Sequence, residues 1–390
     1  MNNLRKHRLW ATVCGLIALL TGAIMFVSWQ KEKLWGHLPL ILFTAGWAAI
    51  VLWRWPALTT HPRGRRWLGL STLSGVLLAL GFPPLPLTML LFVAWVPLLM
   101  AEDEISKAKT EKSEHTPPKL IPYVYHTFVV WNVLTTWWVA NTAFFAGIVA
   151  IWLNAAFMTV PFWLFSQTKR IIPRVAYGAF MAYWVAFEML HLHWEITWPW
   201  LNLGNAFARF PAWIQWYEFT GTFGGTLWVL VANVSLFFLL RKMALRSGGM
   251  AMPWPALGRW SLIVIVPIAI SLVMYYNYEE QGREVEVLVV QPNYEPHYQK
   301  FDVPQGEQLE TLLQLTEGAI RPETKYIVYP ETVFDGINLY AIRSAHVIRP
   351  LERLMARHPD AVLVMGIGGY KVLRSGDPVT RATRRQGEGK

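Results

Sequence analysis

Long apolar stretches, separated by short polar and basic segments, fill most of the first 278 residues. A helix needs about 20 apolar residues to cross a bilayer core. Two stretches are long enough for two helices each, and glycine or proline interrupts them at Gly81–Pro84 and near Asn141–Gly147. The pattern therefore predicts nine spans, which lie within Leu9–Ser28, Leu34–Trp53, Trp67–Ala101 (two), Leu120–Thr168 (two), Val175–Trp194, Phe219–Leu240 and Trp260–Tyr278.

The pattern changes after Tyr278, where short β-branched runs alternate with helical periods. This alternation predicts an α/β unit with a central sheet. Residues 374–390 are polar and basic without an apolar period, which is typical of a disordered tail. The predicted strands are Val285–Val290, Tyr326–Tyr329 and Ala361–Ile367, and the predicted helices are Gly306–Ile320 and Val347–Arg357. The predicted domains are an extra transmembrane pair (1–60), the main transmembrane domain (61–280), the α/β unit (281–373) and the tail (374–390).

Composition supports a membrane protein, since 54% of the residues are hydrophobic and only 15% are charged. All 22 tryptophans precede Gly282, and tryptophan is enriched at membrane interfaces. If the N-terminus is cytoplasmic, 18 of the lysines and arginines before Tyr278 lie on that side and three lie opposite. The positive-inside rule then predicts a cytoplasmic N-terminus and a non-cytoplasmic α/β unit, which is periplasmic in a Gram-negative bacterium.

The net charge of +10 is explained by these topogenic residues and does not indicate nucleic-acid binding. The apolar run after the basic N-terminus is too long for a signal peptide and no small-residue cleavage site follows, so it is interpreted as a retained helix. Cys14 is the single cysteine, which excludes an intrachain disulfide and a CxxC metal site. No residue pattern predicts a metal site or a cofactor.

Several residues are candidates for chemistry, each with a simpler alternative. Glu331 follows a buried-looking strand, where α/β folds place catalytic groups, and could serve as a general base or be a solvated loop residue. The segment His191–Phe219 is aromatic and nearly neutral, so it is either a lipid-facing lip or an ordinary interfacial loop. Glu188 is an intramembrane carboxylate, but its position near a helix end favours contact with water.

The residues 287–293 (Val-Leu-Val-Val-Gln-Pro-Asn), 326–332 (Tyr-Ile-Val-Tyr-Pro-Glu-Thr) and 362–367 resemble the opening of a nitrilase, or carbon–nitrogen hydrolase, domain. In the membrane half, 78–84 (Leu-Ala-Leu-Gly-Phe-Pro-Pro) and 187–205 (Phe-Glu-Met-Leu to Leu-Gly-Asn) resemble segments of the apolipoprotein N-acyltransferase family. The resemblance covers roughly 67–373, so the first two predicted spans are an addition to the family pattern.

The resemblance implies a polytopic helical membrane domain followed by a partial αββα nitrilase-like sandwich in the bacterial inner membrane. It also implies transfer of an acyl chain from a phospholipid donor to the N-terminal diacylglyceryl-cysteine of an apolipoprotein acceptor. No metal or cofactor is implied. The proposed substrate-lipid lip is Trp198, Trp200 and Asn202.

A Glu-Lys-Cys triad is also implied, with Glu331 as its general base. No lysine or cysteine here matches the other two members: Lys371 comes too early, and no cysteine follows Cys14. The sequence therefore predicts a truncated, poorly packed α/β unit with an uncovered sheet face, and an inactive chain. The alternative is a non-catalytic membrane remnant or scaffold that binds lipid or lipoprotein.

Overall fold

The structure is a computed structural model that describes residues 2–110, 118–244, 254–295, 299–300 and 302–372. The chain divides between Glu279 and Glu280 into two compact units. The first unit is helical and the second contains all the strands among the described residues. The tail predicted for 374–390 lies outside the described residues.

Helices in the first unit coincide with all the predicted apolar stretches. Within the described part of the chain, four helices are long and apolar enough to cross a membrane: Arg5–Gln30, Phe144–Ile171, Tyr217–Met243 and Trp254–Asn277. The number of nine spans stays a prediction. The helices are α1 (Asn2–Gln30), α2 (Leu38–Trp53), α3 (Trp55–Leu58), α4 (Gly64–Leu80), α5 (Leu91–Ala94), α6 (Val96–Thr110), α7 (Ile121–Thr136), α8 (Val139–Thr142), α9 (Phe144–Ile171), α10 (Ala176–His193), α11 (Tyr217–Ala244) and α12 (Trp254–Asn277).

The predicted breaks are found where glycine and proline were expected to interrupt the helices. Helix α4 ends at Leu80, and Ala143 adopts an extended backbone between α8 and α9. Short 3-10 helices follow both α4 and α10, at Thr88–Leu90, Pro199–Leu201, Leu203–Arg209 and Pro211–Trp213.

Helix α6 extends nine residues past the predicted end of its span at Ala101. The extension carries Glu102 and Asp103, and both are buried. An apolar pattern cannot predict this extension, because the partners that make burial of these carboxylates possible lie on other helices.

Aromatic side chains form the centre of the first unit. The ring of Trp95 lies 4.5 Å from that of Trp184 and 5.4 Å from that of Phe180, and all three residues are fully buried. Asn233 on α11 accepts the backbone N–H of Trp95 at 2.9 Å and donates to the carbonyl of Leu91 at 2.7 Å. These bonds satisfy backbone groups where the α5–α6 segment is interrupted.

The second unit has a three-stranded parallel sheet with the order β1-β2-β4 and a separate parallel pair, β3-β5. The first two predicted strands and the two predicted helices are present. The third predicted strand is shorter than expected, because it ends at Val364 and Ile367 begins a strand of the β3-β5 pair, which was not predicted. The strands are β1 (Glu286–Val289), β2 (Thr324–Val328), β3 (Phe334–Asn338), β4 (Val362–Val364) and β5 (Ile367–Tyr370); the helices are α13 (Gln305–Ala319) and α14 (Ile348–Arg357).

The two faces of the three-stranded sheet differ in burial. One face packs with the helices around Ile327, Leu312 and Leu351, which are buried. Apolar side chains on the other face are exposed, among them Val289 at 68%. The expectation of an uncovered sheet face is therefore confirmed, while the helix-covered face has a closed core. The other exposed members are Val287, Tyr326, Val362 and Val364.

Candidate functional site

The second unit has a cleft of about 400 Å³ at the carboxyl ends of β1 and β2. This is the edge at which parallel α/β sheets place their ligands. Residues that follow β1 form one side and residues that follow β2 form another. The lining is Gln291, Pro292, Asn293, Tyr294, Lys300, Gln308, Leu312, Pro330, Glu331 and Val333.

Glu331 lies in this cleft, in the turn after β2, and its side chain is exposed. The turn is held at both ends by backbone bonds to the strand β4 and its continuation. The N–H of Tyr329 donates to Val364 O, and that of Val333 donates to Gly366 O, each at 2.9 Å. A carboxylate at this position is accessible to a ligand and is carried by a fixed backbone.

The turn leaves no room for a side chain at position 366. A Cβ on Gly366 would come within 2.7 Å of the N atom of Thr332 and 3.1 Å of the Cα of Glu331. Thr332 itself has a φ of 51°, in the left-handed region that non-glycine residues rarely adopt. Strain of this kind persists where the surrounding structure fixes the backbone, and it is frequent at functional sites.

A lysine that the sequence pattern did not indicate also lines the cleft. The Nζ of Lys300 donates to the carbonyl of Val333 at 2.7 Å and to Oε1 of Gln308 at 2.9 Å. Gln308 in turn donates to the carbonyl of Lys300 at 2.9 Å. Burial lowers the pKa of Lys300, and Asp335 opposes this effect only partly. Lys300 therefore fixes the segment that follows Glu331. Lys371, which comes too early in the chain to match the triad lysine, has its Nζ 5.9 Å from the ring of Tyr340.

In the first unit, residues 194–216 form an aromatic segment between α10 and α11, built largely from 3-10 turns. The rings of Trp198 and Trp200 are 6.3 Å apart, and Trp200 also contacts Trp138 edge-on at 5.6 Å. Trp200 is 57% exposed, Trp198 is half-buried and Asn202 is only 5% exposed. The two tryptophans are thus adjacent, whereas Asn202 lies in the interior beside them.

Glu188 is 1% exposed, so the expectation that it reaches water is wrong. Its Oε1 accepts the indole N–H of Trp184 at 2.9 Å and the backbone N–H of Leu203 at 2.8 Å. Its Oε2 accepts the hydroxyl of Thr226 at 2.5 Å. Three donors, from α10, the aromatic segment and α11, converge on one carboxyl group and hold these elements together.

Thr226 extends this connection, because its hydroxyl also accepts the backbone N–H of Gly204 at 3.1 Å. The segment passes so close to α11 here that a Cβ on Gly204 would lie 2.0 Å from the carbonyl oxygen of Thr222. Glycine is therefore required at 204, and the base of the aromatic segment is fixed against α11.

The family model of the apolipoprotein N-acyltransferase N-terminal domain matches residues 74–235, from within α4 to within α11. Two curated relatives carry the name apolipoprotein N-acyltransferase. The protein from Chlorobaculum tepidum is 27% identical over 272 residues, which are 67% of this chain and 48% of the relative. Both comparisons show similarity to apolipoprotein N-acyltransferases over part of this chain. A second relative, from Geobacter metallireducens, is 27% identical over 302 residues, which are 73% of this chain and 55% of the relative.

These similarities confirm the resemblance seen in the sequence. The chain spans about half the length of the curated acyltransferases that it matches. The range matched by the acyltransferase model contains Glu188 and the aromatic segment, whereas α1, α2 and the strands lie outside it.

A buried charge cluster in the first unit was also not predicted. The Nζ of Lys169 donates to Oε2 of Glu102 at 2.6 Å and to Oδ1 of Asp103 at 3.0 Å. The hydroxyls of Ser106 and Ser166 donate to Oε1 of Glu102. The cluster joins α6 to α9, and the only sequence signal for it is the proximity of charged residues to the ends of two apolar runs.

Groups of His, Cys, Asp and Glu that could hold a metal ion are absent from the described residues. Cys14 lies in α1 and is half-buried. The described residues therefore supply neither a metal site nor a thiol to the cleft around Glu331.

Proposed function

We propose that this chain takes part in the N-acylation of apolipoproteins, with a phospholipid as the acyl donor and the N-terminal diacylglyceryl-cysteine as the acceptor. The observation that carries the proposal is the position of Glu331 in a cleft at the carboxyl edge of a parallel sheet, in a chain whose relatives are named apolipoprotein N-acyltransferase.

In the proposed reaction Glu331 is the general base. It accepts the proton of a cysteine thiol, and the thiolate attacks the carbonyl carbon of a phospholipid ester. The tetrahedral intermediate collapses with loss of a lysophospholipid, whose departing oxygen takes the proton from Glu331. The carboxylate is thereby restored, and the acyl group remains on sulfur as a thioester. The α-amine of the lipoprotein, deprotonated by the same carboxylate, then attacks this thioester and releases the thiol. A nearby cation stabilises the oxyanion in each step, and no metal or cofactor takes part.

We propose that the thiol and this cation come from residues outside the 390 in this sequence. Cys14 lies within the apolar helix α1 of the first unit, whereas Glu331 belongs to the second unit. The Nζ of Lys300 already donates hydrogen bonds to the carbonyl of Val333 and to Oε1 of Gln308. We therefore expect the 390-residue chain to hold the base and the membrane domain without completing acyl transfer.

The aromatic segment is the proposed contact with lipid. Trp200 is exposed, and the Trp198–Trp200 pair offers wide, rigid aromatic surfaces that suit the headgroup layer. The proposed orientation places the N-terminus in the cytoplasm of a bacterial inner membrane and the second unit in the periplasm, because basic residues are concentrated in the segments assigned to the cytoplasm.

The function is tested by expression in a bacterial strain depleted of its own N-acyltransferase, with mass spectrometry of lipoprotein N-termini. The chain is compared with a chimaera that continues after Val372 with the corresponding remainder of the Chlorobaculum tepidum relative. We expect triacylated lipoprotein from the chimaera and none from the chain alone. In the chimaera, Glu331→Gln should lower the rate about 10²–10⁴-fold, whereas Glu323→Gln, an exposed residue before β2, should not.

Triacylated lipoprotein from the 390-residue chain alone would overturn the proposed inactivity. A Glu331→Gln chimaera with full activity would overturn the role of the base. Capture of lipoprotein by the chain, combined with an inactive chimaera, would favour the non-catalytic scaffold.

A further inference from the structure

A groove of about 520 Å³ lies between α2, the α3 turn and α7. It is formed within the first unit, largely by residues outside the range matched by the family model. Ile50, Val51 and Pro122 contribute apolar walls, and the indole N–H of Trp47 on α2 donates to Nδ1 of His126 on α7 at 2.9 Å. The volume is in the usual range for a small-molecule site.

Positive charge is concentrated at this groove. The cations Arg54 and Lys119 line it and both are exposed. None of the described residues that line the groove is acidic. A ligand that fits must therefore combine an apolar body with an anionic group.

We propose that this groove binds an anionic phospholipid, with the phosphate beside Arg54 and Lys119 and the acyl chains against the apolar walls. Inorganic phosphate is a poorer fit, because it has no apolar part that could contact the apolar walls. The ammonium of a zwitterionic lipid finds no acidic partner among the described lining residues. The bias in basic residues assigns this end of α2 to the cytoplasm, so the site is separate from the proposed periplasmic acyl transfer.

The bound lipid would fill the space between α2 and α7. It would thereby attach the first two helices, which are an addition to the family pattern, to the rest of the membrane domain. Each cation near an anionic lipid surface contributes enough to change affinity about fivefold, so loss of both should weaken binding about 25-fold.

The test measures lipid binding by the full chain in nanodiscs and micelles, using native mass spectrometry with phosphatidylglycerol and phosphatidylethanolamine as probes. The wild type should retain one phosphatidylglycerol in preference to phosphatidylethanolamine. The Arg54→Gln/Lys119→Gln variant should bind phosphatidylglycerol about 25-fold more weakly and thereby lose this preference. A matched control, Arg65→Gln/Arg170→Gln, removes two exposed cations of the same predicted side that do not line the groove, and it should keep the preference.

A second variant tests the groove itself without a change in charge. Ala57 lines the groove and is exposed, so Ala57→Trp should obstruct it and lower phosphatidylglycerol retention while the chain stays folded. The proposal would be overturned by any of three results. These are equal losses of phosphatidylglycerol retention in the Arg54/Lys119 and Arg65/Arg170 double variants, unchanged retention in Ala57→Trp, or displacement of the lipid by millimolar inorganic phosphate. Because the readout is binding, the result does not depend on acyl transfer.

Discussion

Replacement of Glu188 by alanine should destabilise the membrane domain more than almost any other single polar substitution. The carboxyl group accepts hydrogen bonds from Trp184, Leu203 and Thr226 in a buried site. Without it, three buried donors lose their partner, at about 1–3 kcal/mol each. Because neighbouring groups relax and such losses are not additive, we expect a total of about 4 kcal/mol.

Glutamine at position 188 is the informative comparison. Its carbonyl oxygen can still accept from Trp184 and Leu203, and its amide can donate to the hydroxyl of Thr226. The predicted loss is therefore only about 1–2 kcal/mol. The exposed Glu218→Ala, at the start of α11, serves as a control and should be neutral within about 0.5 kcal/mol.

Thermal unfolding of the full chain in detergent, followed by tryptophan fluorescence, measures the effect. A loss of 4 kcal/mol corresponds to about 10 °C in Tm for a domain of this size. Limited chymotrypsin digestion adds a local readout, because release of Leu203 should expose the aromatic segment to cleavage near Trp198 and Trp200. A Glu188→Ala protein with wild-type Tm and an uncut segment would refute the reasoning.

Three further predictions concern other contacts. Lys169→Met leaves the buried Glu102 without its cation and should lower the free energy of unfolding by about 3–5 kcal/mol. Arg66→Gln removes a more exposed ion pair and should lower it by less than about 1 kcal/mol. Thermal unfolding compares the two variants, and equal losses of stability would contradict the prediction. Gly366→Ala places a Cβ against the turn that carries Glu331 and should lower the free energy of unfolding by about 1–3 kcal/mol. Faster amide exchange in the second unit would measure this loss. Unchanged exchange would contradict the prediction, because it would show that the turn can move to accommodate the methyl group. Lys300 has a lowered pKa, so between that pKa and 10.5 the folded protein has released a proton that the unfolded chain keeps. The free energy of unfolding should therefore rise with pH just below 10.5. Lys300→Met should remove this rise, which urea unfolding across the same pH range measures. The same pH profile in the wild type and in Lys300→Met would contradict the prediction.

The sequence by itself determined where most helices and the three-stranded sheet of this protein lie. Apolar runs marked the helices, and glycine with proline marked their breaks at Gly81 and near Ala143. The alternation of strand and helix after Tyr278 predicted the parallel sheet and the position of Glu331 just beyond β2. These features depend on local backbone preferences and on hydrophobic periodicity, both of which can be read along the chain.

Only the tertiary structure decided what the polar residues do. Glu188 is buried because Thr226 and Leu203, 38 and 15 residues away, bring it donors. Glu102 remains helical and buried because Lys169, 67 residues away, neutralises it. A charged side chain can leave water only where distant partners replace its hydration, and apolar periodicity carries no record of those partners. For the same reason the role of Lys300 in the cleft became visible only when the carbonyl of Val333, 33 residues away, was placed beside its ammonium group.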